Sequence, residues 1–207
     1  MTHSVRQLVI ACGALAREIA ALREANGWTA LDVTCLPPEL HNRPERIAGA
    51  VREAIRMHRD RYREIFVAYG DCGTGGALDA VLREEGVERI AGAHCYEFYA
   101  SPATFAALAQ AEPGTFYLTD FLVRHFERLV IHGLGIDRHP QLFKEYFGNY
   151  RRVVYLGQSA NSELAREAAA IAARLGFQYQ FQATGYGGLE KSLVAFVGRV
   201  AVVPWRA

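Results

Sequence analysis

Short apolar runs alternate with stretches of helical spacing along most of the chain. The runs predict buried strands, because they are too short for helices and are rich in β-branched and aromatic residues. Between them, apolar residues recur at every third or fourth position, as at Ile47, Val51 and Ile55, which predicts helices with one buried face. The predicted strands are Leu8–Ala11, Leu31–Thr34, Ile65–Tyr69, Arg89–Ala93, Val153–Leu156, Phe177–Phe181 and Val200–Val203.

This alternation predicts the α/β class, with a doubly wound, mostly parallel sheet that carries helices on both faces. No linker rich in Pro, Gly or Ser interrupts the pattern, so we expect a single domain over residues 1–207. Residues 102–150 show helical spacing almost throughout, and we expect them to form a helical insertion or a cap. Ser101 and Pro102 supply an N-cap and a favoured first residue for its opening helix.

The composition is that of an ordinary globular protein. The chain has 207 residues, of which 51% are hydrophobic and 22% charged, enough to bury a core without disulfides. The 23 basic and 22 acidic residues nearly cancel, so no broad positive field for nucleic acid is expected. No apolar run approaches the length of a membrane span, and Met1–Gln7 is too short and polar to precede a signal-peptide core. We therefore expect a cytoplasmic protein with no nucleic-acid or membrane partner.

All four cysteines lie close behind predicted strands, and a cytoplasmic location would keep them reduced. In an open parallel sheet such positions share the carboxyl edge, where ligands bind at the topological switch point. The cysteines are 23, 37 and 23 residues apart, so only the fold could assemble a site from them. Cys35 precedes Leu-Pro-Pro and has no glycine behind it, which makes it the expected spare, while His41 follows on the same edge. The cysteines are Cys12, Cys35, Cys72 and Cys95.

A metal centre is the first interpretation of this edge. Cys12 and Cys72 are each followed by glycine, and a tight turn near a helix N-terminus favours the thiolate form of a cysteine. His94 and Cys95 add an imidazole and a third thiol. Thiolates with imidazole suit Zn²⁺, and thiolates alone also suit an iron–sulfur cluster. The predicted metal ligands are Cys12, Cys72, His94 and Cys95, and three sulfurs on one zinc would lie within about 4 Å of one another.

Two alternatives stay open beside the metal centre. In a metal-free enzyme, Cys72 would be the nucleophile, Asp71 or His94 the base, and Glu97 a further carboxylate of the catalytic set. The glycine-rich loop behind the third predicted strand would hold an anion or cofactor on its amides, although it lacks the P-loop ending and the dinucleotide spacing. The other alternative is a non-catalytic module with a small ligand in an aromatic cleft. The loop residues are Gly70, Gly73, Thr74, Gly75 and Gly76.

Six segments together resemble an uncharacterised conserved bacterial and archaeal family that is described only as a domain of unknown function. Its members often occur near genes of corrinoid-dependent methylamine or betaine methyltransferases, so the resemblance implies a link to one-carbon transfer and a corrinoid protein as partner. It assigns no reaction, and its cysteine and histidine motifs map onto the four predicted ligands. A small-molecule substrate and a homodimer, the default assembly, complete the expected partners. The segments are Cys12-Gly13, Leu36-Pro-Pro-Glu-Leu-His-Asn42, Tyr69-Gly-Asp-Cys-Gly-Thr-Gly-Gly76, His94-Cys95-Tyr96-Glu97, Gly114-Thr-Phe-Tyr-Leu-Thr-Asp120 and Tyr186-Gly-Gly-Leu-Glu190.

Overall fold

The structure is a computed structural model that describes residues 6–201. Within that range the strands are β1 (Gln7–Cys12), β2 (Leu31–Leu36), β3 (Glu64–Ala68), β4 (Glu88–Arg89), β5 (Thr115–Thr119), β6 (Arg152–Gly157) and β7 (Gln178–Ala183). The helices are α1 (Ala16–Ala25), α2 (Ile47–His58), α3 (Ala77–Glu85), α4 (Cys95–Ala100), α5 (Pro102–Ala111), α6 (Asp120–Arg124), α7 (Leu142–Phe147), α8 (Ser162–Leu175) and α9 (Gly187–Ala201). A π-helical stretch, Glu127–His132, follows α6.

The α/β class is confirmed, and the strands form two parallel sheets. The first sheet has the order β2-β1-β3-β4 and the second has the order β5-β6-β7. All strand pairs in both sheets are parallel. The chain divides into two compact units, one with residues up to Cys95 together with the chain from Gly188 onward, the other spanning Tyr96–Gly187. The expectation of a single domain over residues 1–207 stays a prediction.

Two sequence predictions about particular segments need correction. The range 102–150 is not helical throughout, because it contains β5, an edge strand of the second sheet. The run Thr-Phe-Tyr-Leu-Thr is too short for periodicity to separate strand from helix, and helical spacing surrounds it. Of the predicted strand Val200–Val203, the first two positions belong to α9 and the last two lie outside the described residues.

Two further predictions concern membranes. The described helices include none that is long and apolar enough to cross a membrane. The polar segment Met1–Gln7 lies mostly outside the described residues, so the expectation that it precedes no signal-peptide core stays a prediction.

The first sheet is covered on both faces by helices. Leu8 and Ile10 of β1 pack with Val51 of α2 on one face. On the other face, the ring of Phe66 of β3 stacks on that of Phe196 of α9, with 5.1 Å between ring centroids. Burial on both faces explains why these strands are nearly continuous apolar runs.

In the second sheet, the central strand β6 is also buried on both faces. Val153 and Tyr155 pack with residues of α6, α7 and α8, while Val154 and Leu156 pack on the opposite side with residues of α5. The Asn161 side chain caps α8 by accepting hydrogen bonds from the amides of residues 163 and 164. This cap fixes the start of α8 at Ser162.

Candidate functional site

The carboxyl ends of β1 and β3 lie at the point where the strand order of the sheet reverses. From β1 the chain crosses to β2 on one side and then returns past β1 to β3 on the other. In open α/β sheets such a switch point leaves a crevice in which ligands bind. Cys12 is the last residue of β1, and Tyr69 and Cys72 follow β3. Two of the four predicted ligands therefore flank this crevice.

Cys12 and Tyr69 form a pair across the switch point. The ladder that sets Ala11 opposite Ala68 brings Cys12 opposite Tyr69, and both side chains join the apolar cluster beneath α2 and α3. The buried Tyr69 hydroxyl has no hydrogen bond of ordinary geometry within the described residues and interacts with the Cys12 thiol. Burial raises the pKa of Cys12 to about 11, although the Ala14 amide and the Tyr69 hydroxyl partly oppose the shift. In the absence of a metal, this thiol is therefore protonated at neutral pH.

Cys72 is held in a conformation that few residues other than glycine adopt. Its φ is 50°, in the left-handed region, where a side chain costs about 1–2 kcal/mol. Its amide donates to the Ala93 carbonyl oxygen at 2.7 Å. Its thiol accepts from the amides of Cys95 and Gly70, but burial is the larger influence and raises the pKa of Cys72. The fold therefore fixes the direction of this thiol at some energetic cost.

Asp71 closes the glycine-rich loop on itself. Its carboxylate accepts from the Thr74 hydroxyl at 2.5 Å, the Gly76 amide at 2.9 Å and the Gly75 amide at 3.2 Å. The Thr74 amide donates to the Asp71 carbonyl oxygen at 3.0 Å. The Thr74 hydroxyl, followed by the Gly76 amide, lowers the pKa of Asp71. Three amides of the predicted anion-binding loop are therefore engaged inside the loop, and Asp71 is a weakened base.

Glycines allow the loops at this edge to touch. A Cβ at Gly13 would lie 2.9 Å from the Leu36 carbonyl oxygen and 2.9 Å from Cδ of Pro38. A Cβ at Gly70 would lie 3.0 Å from Cα of His94. The approach at Gly13 is closer than a Cβ atom tolerates, so glycine is required where the loop after β1 meets the loop after β2. At Gly70 a Cβ would be tight, and the backbone of His94 would have to shift.

His94 and Cys95 follow β4 on the same edge. His94 packs its backbone against Gly70, Cys95 begins α4, and Glu97 lies in the first turn of that helix. His41 lies in the 3₁₀ turn Pro38–Asn42 that follows β2. Burial, and then the charge of His94, lowers the pKa of His41. The loops at one end of the first sheet therefore carry two histidines and three cysteines.

Cys35 lies near this group but on the other face of the sheet. The β1–β2 ladder pairs Ala11 with Cys35 and Cys12 with Leu36. Side chains alternate between faces along a strand, so Cys12 and Cys35 project to opposite sides. Cys35 is exposed, unlike Cys12. It therefore offers a matched control for substitutions at the other cysteines.

The ligand geometry of a bound metal is not present in the described residues. Within residues 6–201, no group of three or more His, Cys, Asp or Glu side chains is arranged to hold a metal ion. The thiol and imidazole donors are nevertheless of the types that Zn²⁺ and iron–sulfur clusters take. Coordination would need side-chain rotations that bring the sulfurs within about 4 Å of one another. The metal centre therefore stays a prediction.

Two residues of this edge were missed in the sequence. Tyr69 was assigned only to a strand, although the β1–β3 register is what brings it beside Cys12. Arg89 binds the Asp79 carboxylate through two hydrogen bonds of 2.6 and 3.0 Å, and its charge also acts on Cys72. The sequence carries no local signal for either contact, because the first depends on the register of β1 and β3 and the second on how α3 packs against β4.

A second polar cluster occupies the equivalent end of the second sheet. The buried carboxylate of Asp120, directly after β5, accepts from the Tyr155 hydroxyl at 2.7 Å and from the Gln158 amide at 3.0 Å. It also accepts from the Ser159 amide at 3.1 Å and from the Ser159 hydroxyl. With these donors the carboxylate is satisfied, and it ties the end of β5 to the end of β6.

The fold and the edge define a parallel α/β protein with cysteines and histidines gathered at the carboxyl end of its first sheet. Residues 35–193 match the family described as Protein of unknown function (DUF1638), and the chain belongs to that family. The match includes Cys72, His94 and Cys95, whereas Cys12 precedes it. No curated protein and no solved structure shows significant similarity to this chain.

Proposed function

We propose that this protein binds Zn²⁺ or an iron–sulfur cluster at the carboxyl edge of its first sheet. The ligands are Cys12, Cys72, His94 and Cys95. The observation that carries this proposal is the placement of the Cys12 and Cys72 thiols at the two sides of one switch point, on the same apolar cluster. A lone buried cysteine is commonly a packing residue, but two on one face at a switch point have no comparable packing reason.

The protonation of these thiols is compatible with a metal site. Burial raises the pKa of Cys12 and of Cys72, so both bind protons at neutral pH when no metal is present. A coordinating metal cation reverses this preference, and the thiols would give up their protons on binding. A bound Zn²⁺ would act as a Lewis acid or lower the pKa of a substrate thiol.

Tyr69 has a supporting role in this proposal. Its hydroxyl interacts with the Cys12 thiol and lowers that thiol's pKa. A hydroxyl that donates to a ligand thiolate fixes its direction and stabilises its negative charge. Tyr69 therefore positions Cys12 without being a ligand itself.

The observed contacts favour the metal site over a metal-free cysteine nucleophile. Such a nucleophile needs a lowered thiol pKa, whereas burial raises the pKa of Cys72. The base assigned to Asp71 would be a carboxylate already held by the Thr74 hydroxyl and the loop amides. The amides of Thr74, Gly75 and Gly76 donate within the loop, so they are not available for an anion.

Metal analysis of the full chain, purified without oxygen, tests the proposal. We expect about one equivalent of zinc, or iron with inorganic sulfide, because thiolate sites hold metal tightly. Cys12→Ser and Cys72→Ser should lose most of this metal. Cys35→Ser is the matched control and should keep it, since its side chain lies on the other face of the sheet.

Two results would contradict the metal site. One is less than about half an equivalent of metal in folded protein, both as purified and after reconstitution with zinc or with iron and sulfide. The other is an equal loss of metal from Cys35→Ser and Cys12→Ser. Circular dichroism of each variant separates loss of metal from loss of fold.

We further propose that the site serves corrinoid-dependent one-carbon transfer in the cytoplasm. The resemblance to the family carries this proposal, and free thiols are compatible with a reducing compartment. Co-elution of the metal-loaded chain with a purified methylcorrinoid protein tests it, with Cys72→Ser as the variant expected to elute alone. Separate elution of the native chain and the corrinoid protein would reject the link and leave the metal site standing.

A further inference from the structure

Strand β7 is an edge strand without the usual protection against pairing. It is the last strand of the second sheet, so its outer side has no strand partner among the described residues. Exposed edge strands normally contain charged residues, proline or bulges, which prevent pairing with a strand of another chain. The segment Gln-Tyr-Gln-Phe-Gln-Ala of β7 contains no charged residue and no proline. Its outer edge is therefore able to accept another strand.

The backbone register identifies which groups face outward. The Gln178 amide donates to the Arg151 carbonyl oxygen at 3.0 Å, and the Thr184 amide donates to the Gly157 carbonyl oxygen at 2.9 Å. In a parallel ladder alternate residues point their amides and carbonyls to the same side. Even-numbered residues of β7 therefore bond to β6. The backbone groups of Tyr179, Phe181 and Ala183 point away from the sheet.

Two of the three outward positions carry large aromatic side chains, Tyr179 and Phe181. Tyr179 is 37% exposed and Phe181 is 48% exposed, which places them among the few large apolar side chains of the described residues that remain open. Both lie on the face of the sheet that carries Tyr155, whose ring contacts Phe181. The glutamines occupy the other face, where Gln180 accepts from Arg152 at 3.0 Å. The strand therefore has one aromatic face and one amide face.

This pattern is complementary to itself when two copies run antiparallel. Outward groups on odd-numbered residues must pair with odd-numbered residues of the other strand. Centred on Gln180, the pairing sets Tyr179 opposite the partner's Phe181 and Gln180 opposite the partner's Gln180. Aromatic side chains then meet aromatic ones, amides meet amides, and no like charges face each other.

We infer that β7 is the contact strand of a homodimer, in which two copies pair antiparallel about a two-fold axis at Gln180. An antiparallel pair of identical strands uses the same edge of both chains about a two-fold axis, so the contact closes after two chains. The pairing joins the two second sheets into one continuous sheet. None of the proposed metal ligands lies in β7, so this inference is independent of the metal site.

The molar mass of the full chain in solution tests this inference. We expect a dimer at tens of micromolar by light scattering or sedimentation equilibrium. Tyr179→Lys should raise the dissociation constant by about tenfold or more, because it replaces an aromatic pair with an amine. The matched control is Val194→Lys, which adds the same charge at an open position of α9 (48% exposed) and should leave the dimer unchanged.

Disulfide trapping tests the register. Gln180→Cys should form a covalent dimer under mild oxidation, because two cysteines at the axis lie directly opposite each other. In this register, position 178 of one chain lies opposite position 182 of the other. The single variants Gln178→Cys and Gln182→Cys should therefore cross-link much less, whereas the variant with both cysteines should cross-link. The native chain under the same conditions measures cross-linking through its own cysteines.

Three outcomes would overturn the inference. The first is a monomer throughout the concentration range in folded native protein. The second is an equal dissociation constant of the dimer for Tyr179→Lys and Val194→Lys. The third is equal trapping by Gln180→Cys and Gln178→Cys, which would show that the strands do not meet in the proposed register.

Discussion

Cys12 shows how burial and one hydroxyl set the chemistry of a single residue. Burial raises the pKa of its thiol from the ordinary 9.0 to about 11, and the Tyr69 hydroxyl opposes that rise. Because the folded state holds this proton more tightly than the unfolded state, the thiol contributes stability below pH 9. That contribution is lost between about pH 9 and pH 11. At neutral pH, a cation that replaces the proton is therefore needed to make Cys12 a strong ligand.

Alkylation of the metal-free protein measures this residue directly. We expect Cys35 to react first with iodoacetamide, because it is exposed, and Cys12 to react slowly until the pH approaches 11. Tyr69→Phe removes the hydroxyl that stabilises the Cys12 thiolate. It should therefore shift the pH midpoint of Cys12 labelling upward and slow its labelling at pH 9. Mass spectrometry of peptides resolves the two sites.

The Cys35 labelling rate is the internal control for this experiment, because Tyr69→Phe should leave its pH dependence nearly unchanged. A Cys12 that labels as fast as Cys35 at neutral pH would contradict the burial of its thiol. A downward shift of the Cys12 midpoint in Tyr69→Phe would contradict the stabilising contact. Either result would change the assignment of Tyr69 as a positioning residue.

At the scale of strands and helices, some parts of the site can be predicted from sequence patterns and others cannot. Apolar runs placed Cys12 and Cys72 at strand ends, and the common direction of parallel strands then put them on one edge. Strand register was not visible in the sequence, so neither the Cys12–Tyr69 contact nor the opposite face of Cys35 could be predicted. The strand β5 was missed because five residues between helical segments carry too little periodicity.

The glycine-rich loop shows a different limit of sequence patterns. Its composition suggested amides open to an anion, but the Asp71 carboxylate takes two of them and the Thr74 hydroxyl. Asp and Asn often satisfy nearby amides in this way, so an acidic residue at the start of a glycine loop favours a self-closed turn. That turn holds Cys72 at its positive φ and against the amide of Cys95. The loop therefore serves to orient a thiol.

At the scale of the whole molecule, the two units have different polar clusters at the carboxyl ends of their sheets. All four proposed metal ligands belong to the first unit. The second unit has Asp120, a buried carboxylate directly after β5, whose donors come from β6 and the residues that follow it. The first cluster contains thiols that a metal would deprotonate, whereas the second is a carboxylate already satisfied by hydrogen bonds. We therefore assign chemistry to the first cluster and stability to the second.

This assignment predicts that Asp120→Asn weakens the second unit and leaves the thiol edge intact. The amide nitrogen that replaces one carboxylate oxygen would face the donors of Ser159 or the buried donors of Tyr155 and Gln158. A buried donor that loses its acceptor costs about 1–3 kcal/mol. Hydrogen exchange should quicken in β5 and β6 while β1 and β3 keep their protection, and metal content should stay that of the native chain. Glu163→Gln, an exposed change in α8, is the control and should alter neither unit. Equal loss of protection in β1 and β3, with loss of metal, would show instead that the Asp120 cluster supports the thiol edge, and that the two units unfold as one.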